Sequence, residues 1–154
     1  MEKLLNVAGY IYQRYEKDFG NEIDEMKLHK LLYFSQRESY IQNNEPLFSG
    51  KFEAWKYGHV VPEIRGIYKE KKFSLLLNNT LVLTEKTKPV MDYVFINYAP
   101  QNSWSLSTLS HNEISWKNAR RGVEINANSH NLISEKDIKK DAENIRFRRI
   151  MLVK

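Results

Sequence analysis

The chain contains no cysteine. That one absence removes disulfide frameworks, thiolate metal sites and cysteine nucleophiles, and it fits a reducing, cytoplasmic setting. No run of apolar residues approaches the ~20 needed to cross a bilayer. The opening residues lack a charged-then-apolar leader pattern, because Glu2, Lys3 and Asn6 flank only a short apolar stretch. A cytoplasmic protein without a membrane partner is therefore expected. The four histidines, His29, His59, His111 and His130, are scattered, and none shares the i, i+4 spacing by which one helix presents two metal ligands. A phosphate-binding glycine–lysine loop, a dinucleotide glycine fingerprint and a serine nucleophile elbow are also missing. The expectation is no metal, no cofactor and no enzyme.

What is present is a chain of 154 residues with a 12% aromatic share and a formal net charge of +5. That length supports one domain, residues 1–154, with a real core. The positive charge favours acidic partners, nucleic acid or an acidic protein, through long-range attraction. Apart from Arg146, Arg148 and Arg149 near the end, the basic residues are spread along the chain; that closing cluster is expected to trail the last helix.

Helical periodicity dominates. Leu4, Val7, Ala8, Ile11, Tyr12 and Tyr15 form the stripe of an amphipathic helix stopped at Gly20-Asn21. Asp24 can cap a second helix whose inner face carries Leu28, Leu31 and Leu32, with Ser35 and Ser39 allowing close approach. Its other face shows Lys27, Lys30, Phe34 and Arg37, a basic stripe with one aromatic, open to two readings: a solvated face, or a contact surface for phosphates or acidic side chains. Further helices are expected after Thr84 or Thr87 with Pro89 in the first turn, from Ser103 or Ser105 to His111, from Trp116 to Arg121 with Ser115 as cap, and after Ser134. Val90, Met91, Val94, Phe95 and Tyr98 should face inward on the first of these, and Ile138, Ala142 and Ile145 on the last. Leu75–Leu77 and Leu81–Leu83 read as short extended segments, one of which should pair with a strand over Phe52–Tyr57.

That strand opens the stretch around which the chain is organised, Phe52-Glu53-Ala54-Trp55-Lys56-Tyr57-Gly58-His59-Val60-Val61-Pro62-Glu63-Ile64. Trp55 and Tyr57, two apart, share one side of a strand. Gly58 permits a sharp turn, and Pro62 is pre-set for the first turn of a helix running to Tyr68. The expected fold class is mainly α with a small antiparallel β element, in one compact helical domain.

From Lys27-Leu28-His29-Lys30-Leu31-Leu32-Tyr33-Phe34-Ser35-Gln36, through Pro46-Leu47-Phe48 and the central stretch, to Leu109-Ser110-His111 with Trp116 and Arg120, the chain resembles the Panacea domain family. These are the SocA-like antitoxins, which include phage-associated GepA-type proteins. The likeness covers roughly residues 4–145. One departure is His59, where the family usually has proline after the motif glycine. The resemblance implies an antitoxin of a bacterial or phage toxin–antitoxin system, neutralising a protein toxin encoded by the adjacent gene through direct contact. It also admits a protease as a second partner, with the chain as adaptor. Some relatives carry an added DNA-binding domain, for which a chain of this length is expected to have no room.

The candidate partner contacts are then Lys27, Lys30, Phe34 and Arg37 together with Tyr57 and His59 at the corner. Leu31, Trp55, Gly58, Pro62, His111 and Trp116 are motif positions expected to hold the fold. Two further hypotheses come from other classes. A small basic nucleic-acid-binding regulator requires a contiguous basic face and a steep salt dependence. An enzyme requires a cleft that gathers His111, Glu113 and another titratable group.

Overall fold

The computed structural model describes residues 1–73 and 81–152. The first helix, α1 (Leu4–Phe19), buries Leu4, Val7, Ala8, Ile11 and Tyr15. It ends where Gly20 turns left-handed at φ 78° and donates its N–H to Glu16 O, the stop that its glycine allows. In α2 (Glu25–Asn43) the Asp24 carboxylate accepts from Lys27 N at 2.8 Å, satisfying one of the orphan donors of the first turn. The helix closes at Asn44, also left-handed.

Every residue of α2 from Lys27 to Tyr40 is buried. This helix is the axle of the molecule, packed against α1, the hairpin strand β2 (Gly58–Val60), α3 (Pro62–Lys69), and the helices α4 (Lys88–Asn97), α5 (Ser103–His111) and α7 (Glu135–Leu152). Leu28, Leu31 and Leu32 lie fully buried on it, each contributing about 2 kcal/mol from removing its side chain from water. The expected solvated basic stripe does not exist: Lys27, Lys30, Phe34 and Arg37 are all buried. α4, α5 and the hairpin cover the face that periodicity assigns to water, so from Lys27 to Tyr40 this helix has no side open to solvent.

The central stretch is a hairpin rather than one strand. β1 (Glu53–Trp55) pairs antiparallel with β2 (Gly58–Val60) in the register Glu53–Val60, Ala54–His59 and Trp55–Gly58. Pro62 then opens α3 (Pro62–Lys69). The partner of β1 is thus its own neighbour in sequence. Leu81–Leu83 forms no strand, and the proposed Leu75–Leu77 strand lies outside the described residues. The free edge of β1 is instead taken by the loop before α7: Ala54 N donates to Asn131 O, Ile133 N donates to Phe52 O, and Glu53 bridges Leu132.

Pro89 does lie in the first turn of α4, with Val90, Met91, Val94 and Phe95 buried and Tyr98 half-buried. α5 starts at Ser103 and runs to His111 as expected, and Asn102 caps it by accepting from Ser105 N. The next helix, α6 (Ile114–Ala119), begins earlier than expected, and Ser115 lies inside it. Its cap comes from across the molecule, because Asp141 Oδ1 accepts from Ile114 N at 2.8 Å and Ser115 N at 3.3 Å. α7 starts directly after Ser134 and buries Ile138 and Ala142, with Ile145 half-buried. It continues through the arginine cluster, so those residues are helix and not a trailing tail. The result is the mainly helical single domain with one small antiparallel sheet that the sequence indicates.

Candidate functional site

Beneath the hairpin, α2 carries a buried polar network built from residues of five elements. Lys30 Nζ donates to His59 O at 3.1 Å. For its side chain to pass there, the hairpin must have no Cβ at position 58. A Cβ on Gly58 would fall 2.5 Å from Lys30 Cε and 2.3 Å from Ser110 Oγ, and the backbone φ of +120° is itself one that side chains rarely adopt. Burial pushes the Lys30 amine down to about 7, with Asp24 and Glu25 pulling the other way.

His59, fully buried, is not a surface contact. Its ring stacks on Tyr33 at a centroid distance of 3.6 Å, and its Nε2 lies 2.8 Å from Ser115 Oγ. Burial, with Lys30 and Arg37 adding positive charge, holds its pKa well below the ordinary value, so the ring is neutral. The histidine that replaces the expected proline is therefore an internal strut, and its peptide carbonyl is the acceptor for Lys30. The neighbouring His29 is also neutral. Its Nδ1 accepts from Val61 N at 3.1 Å, which places the proton on Nε2 toward Glu25 Oε2 at 3.0 Å. Burial lowers its pKa as well.

The Tyr33 hydroxyl lies 2.5 Å from Glu113 Oε2 and 2.7 Å from Asp141 Oδ2. It has one proton to give, so when it donates to one carboxylate the other must donate to it. Burial and the Glu113 charge push the Asp141 carboxyl up to about 6, and Asp141 supplies that proton below this pH. Glu113 is held from the far side by Arg37, whose Nη1 lies 3.1 Å from Oε1. Arg37 Nη2 donates to Tyr98 OH at 2.6 Å, and its guanidinium lies over Phe34, which stacks on Tyr98. Lys27 Nζ donates to Tyr15 OH and to Ala99 O, both at 3.1 Å. Each polar member of the expected basic stripe thus has an internal partner, which is why burial is tolerated.

The other motif residues divide by exposure. Leu31 is fully buried, and Trp116, also buried, donates its Nε1 to Trp55 O. His111 is half-buried and stacks on Trp116 at 4.1 Å, with burial lowering its pKa. Neither His111 nor Glu113 lines the cleft described next. Pro62 is exposed at the start of α3, and Tyr57 is 43% exposed at the hairpin tip. Arg120, a motif residue, clamps the following loop by donating to Ala54 O and Ala127 O.

An open cleft of about 440 Å³ lies between the hairpin and the start of α2. Trp55, Tyr57, Met26, Val60 and Lys30 are among the residues that line it. Tyr57 stands in the turn after β1 and does not share a strand with Trp55, contrary to the expectation from their spacing. Arg65 lies 5.0 Å over the Trp55 ring and pairs with Glu25 at 3.1 Å. On the outer side of the tip, Tyr57 meets Trp104 edge to face at 5.4 Å, and Trp104 is 62% exposed. Trp104 carried no signal in the sequence, where it reads as an ordinary position of a short helix; only the apposition of α5 to the hairpin singles it out.

Among the described residues, no helix is long and apolar enough to cross a membrane. Fold and site together define a small, mainly helical domain whose central helix carries a buried ion network under an aromatic hairpin. The family model described as "Antitoxin SocA-like, Panacea domain" matches residues 28–117, more than half of the chain, and the chain belongs to this family. The match runs from α2 through α6 and so contains the hairpin and Tyr33, Glu113 and Trp116. Membership points to an antitoxin-type role with a protein partner. No curated protein and no solved structure matches the chain.

Proposed function

We propose that the protein is a non-enzymatic antitoxin that neutralises a cognate protein toxin by binding it directly. Family membership supports the role. The observation that carries the mode of action is the exposed aromatic pair Tyr57–Trp104 beside the hairpin cleft. Large aromatic side chains held by a rigid corner lose little entropy on binding and are the usual anchors of protein interfaces. The reading as a binding module also draws on His111 and Glu113, which are engaged with Trp116, Arg37 and Tyr33 instead of sharing a cleft.

The alternative of a nucleic-acid-binding regulator has less support. Lys27, Lys30 and Arg37 lie inside, while Arg146 donates to the carbonyls of Tyr40 and Ile41 and Arg149 pairs with Glu38. These cations are held by internal oxygens and do not form a contiguous basic face.

The test is co-expression with the product of the adjacent gene. Growth rescue together with a co-purifying complex is the expected result. The double variant Tyr57→Ala/Trp104→Ala should abolish both while leaving the melting temperature within a few degrees of the parent. Rescue without a complex would point to indirect action, and retained binding by the double variant would place the interface elsewhere.

A further inference from the structure

Lys30 is the most deeply buried cation among the described residues, 1% exposed. Its ammonium can donate three hydrogen bonds, and one of them goes to His59 O. Among the described residues no carboxylate lies within 4.0 Å of it. The nearby acid, Glu25, is already held by His29, Arg65 and Lys69. Arg37 is matched by Glu113 and Glu38 by Arg149. The buried Lys27 and Arg120 also lack a carboxylate, but they donate to hydroxyl and carbonyl oxygens and do not line the cleft. Of these unpaired cations only Lys30 lines the open, aromatic-walled cleft. A buried ion without a counter-charge is costly, and a structure that keeps one beside an opening is set to receive an opposite charge through it. Burial also pushes the Lys30 amine down to about 7, as expected where no carboxylate compensates the lost water.

We propose that the hairpin cleft is a carboxylate-accepting socket, in which an Asp or Glu side chain flanked by an apolar residue of the protein partner pairs with Lys30 while its neighbour packs against Trp55 and Tyr57. This rests on the antitoxin reading for the source of the carboxylate, though not for the site itself. The cleft is lined by the ammonium groups of Lys30 and Lys56, by Arg65, which already pairs with Glu25 and lies over Trp55, and by the Glu25 carboxylate itself. With that acid on the lining, a singly charged carboxylate suits the cleft better than a phosphate. Tyr57 belongs both to the cleft wall and to the exposed aromatic pair, so one partner segment can cover the pair and enter the socket.

The probes are two blocked dipeptides, acetyl-Phe-Glu-amide and acetyl-Phe-Gln-amide, titrated into the full chain while NMR follows the Trp55 indole N–H, the Met26 methyl and the Lys30 Cε. The Glu peptide should move all three signals with an affinity of about millimolar, as few contacts allow, and bind about tenfold or more tighter than the Gln peptide. Lys30→Met, a near-isosteric apolar replacement, should erase that preference. Equal binding of the two peptides, or shifts elsewhere only, would overturn the socket. Should Lys30→Met not fold, the Glu-to-Gln difference and the Lys30 Cε shift in the parent protein decide the matter by themselves. The adjacent gene product separates the two ideas. If it binds parent and Lys30→Met with equal affinity, the partner-carboxylate claim falls while the antitoxin reading stands. If it does not bind the parent at all, the antitoxin reading falls while the peptide result still decides the socket.

Discussion

At Gly58, φ is +120° and the space where a Cβ would go is occupied by Ser110 Oγ at 2.3 Å and Lys30 Cε at 2.5 Å. The residue therefore serves two needs, the hairpin turn and the passage of Lys30 beneath it. Gly58→Ala should destabilise the protein by about 3 kcal/mol, combining backbone strain with overpacking. Urea unfolding measures this, and a loss below about 1 kcal/mol would mean that Lys30 and Ser110 move aside at little cost. Gly20, also left-handed, makes the contrast: a Cβ there meets nothing within 4 Å, so only the backbone term applies. The sequence identifies Gly58 as a turn residue, but that its missing side chain makes room for a lysine cannot be read from any local pattern. The same holds for His59, whose neighbours Tyr33 and Ser115 stand far away along the chain.

Between elements, the joint of α2 with α7 depends on charge as well as on apolar contact. Glu38 is fully buried and receives both guanidinium arms of Arg149, each at 2.8 Å. One turn earlier on α7, Arg146 donates to Tyr40 O and Ile41 O near the C-terminal end of α2, where the last carbonyls and the helix dipole both favour a cation. Arg149→Ala leaves a buried carboxylate without its partner and should cost about 3 kcal/mol. Arg149→Lys should recover less than half of that, because a single ammonium cannot bridge both oxygens in the same fork. Thermal unfolding of the two variants beside the parent checks the ranking, and equal melting temperatures would show that the pair adds nothing to the joint. The length and inner face of α7 were legible in Ile138, Ala142 and the serine before it. The role of its arginines was not, because a cluster near a chain end looks alike whether it trails in water or clamps another helix.

For the molecule as a whole, the buried titratable groups set opposing slopes of stability against pH. The folded pKa of Asp141 is raised from 3.8 to about 6 by burial and by Glu113. The native state therefore holds more protons than the unfolded chain across that interval, so this contribution is complete below about pH 4 and is lost as pH rises through about 6. His59 and His29 act in the opposite sense. Burial lowers both from 6.5, so their contribution is present above about pH 6.5 and is lost as pH falls. Asp141→Asn removes only the first slope. The stability of the parent relative to this variant should grow as pH falls from 6 to 4, measured by denaturant unfolding at each pH. A difference that stays constant over this range would show that Asp141 does not hold the extra proton.

Hydrophobic period and helix punctuation by themselves determined the helix-rich fold class, the stripe of α1, the cap at Asp24, the stop at Gly20 and the central corner with Pro62 opening a helix. These features depend on residues within a turn or two of one another, so local sequence carries them. Tertiary structure alone decided that α2 has no exposed face. Lys27, Lys30 and Arg37 look like solvated cations until Ala99, His59 and Glu113 arrive from distant segments to receive their protons. It also decided that β1 pairs with its own hairpin arm and with residues near 132, and that Trp104 meets Tyr57. The physical reason is the same in each case. A polar side chain is accepted in the interior when a partner lies within hydrogen-bond reach, and that partner is supplied by the packing of elements.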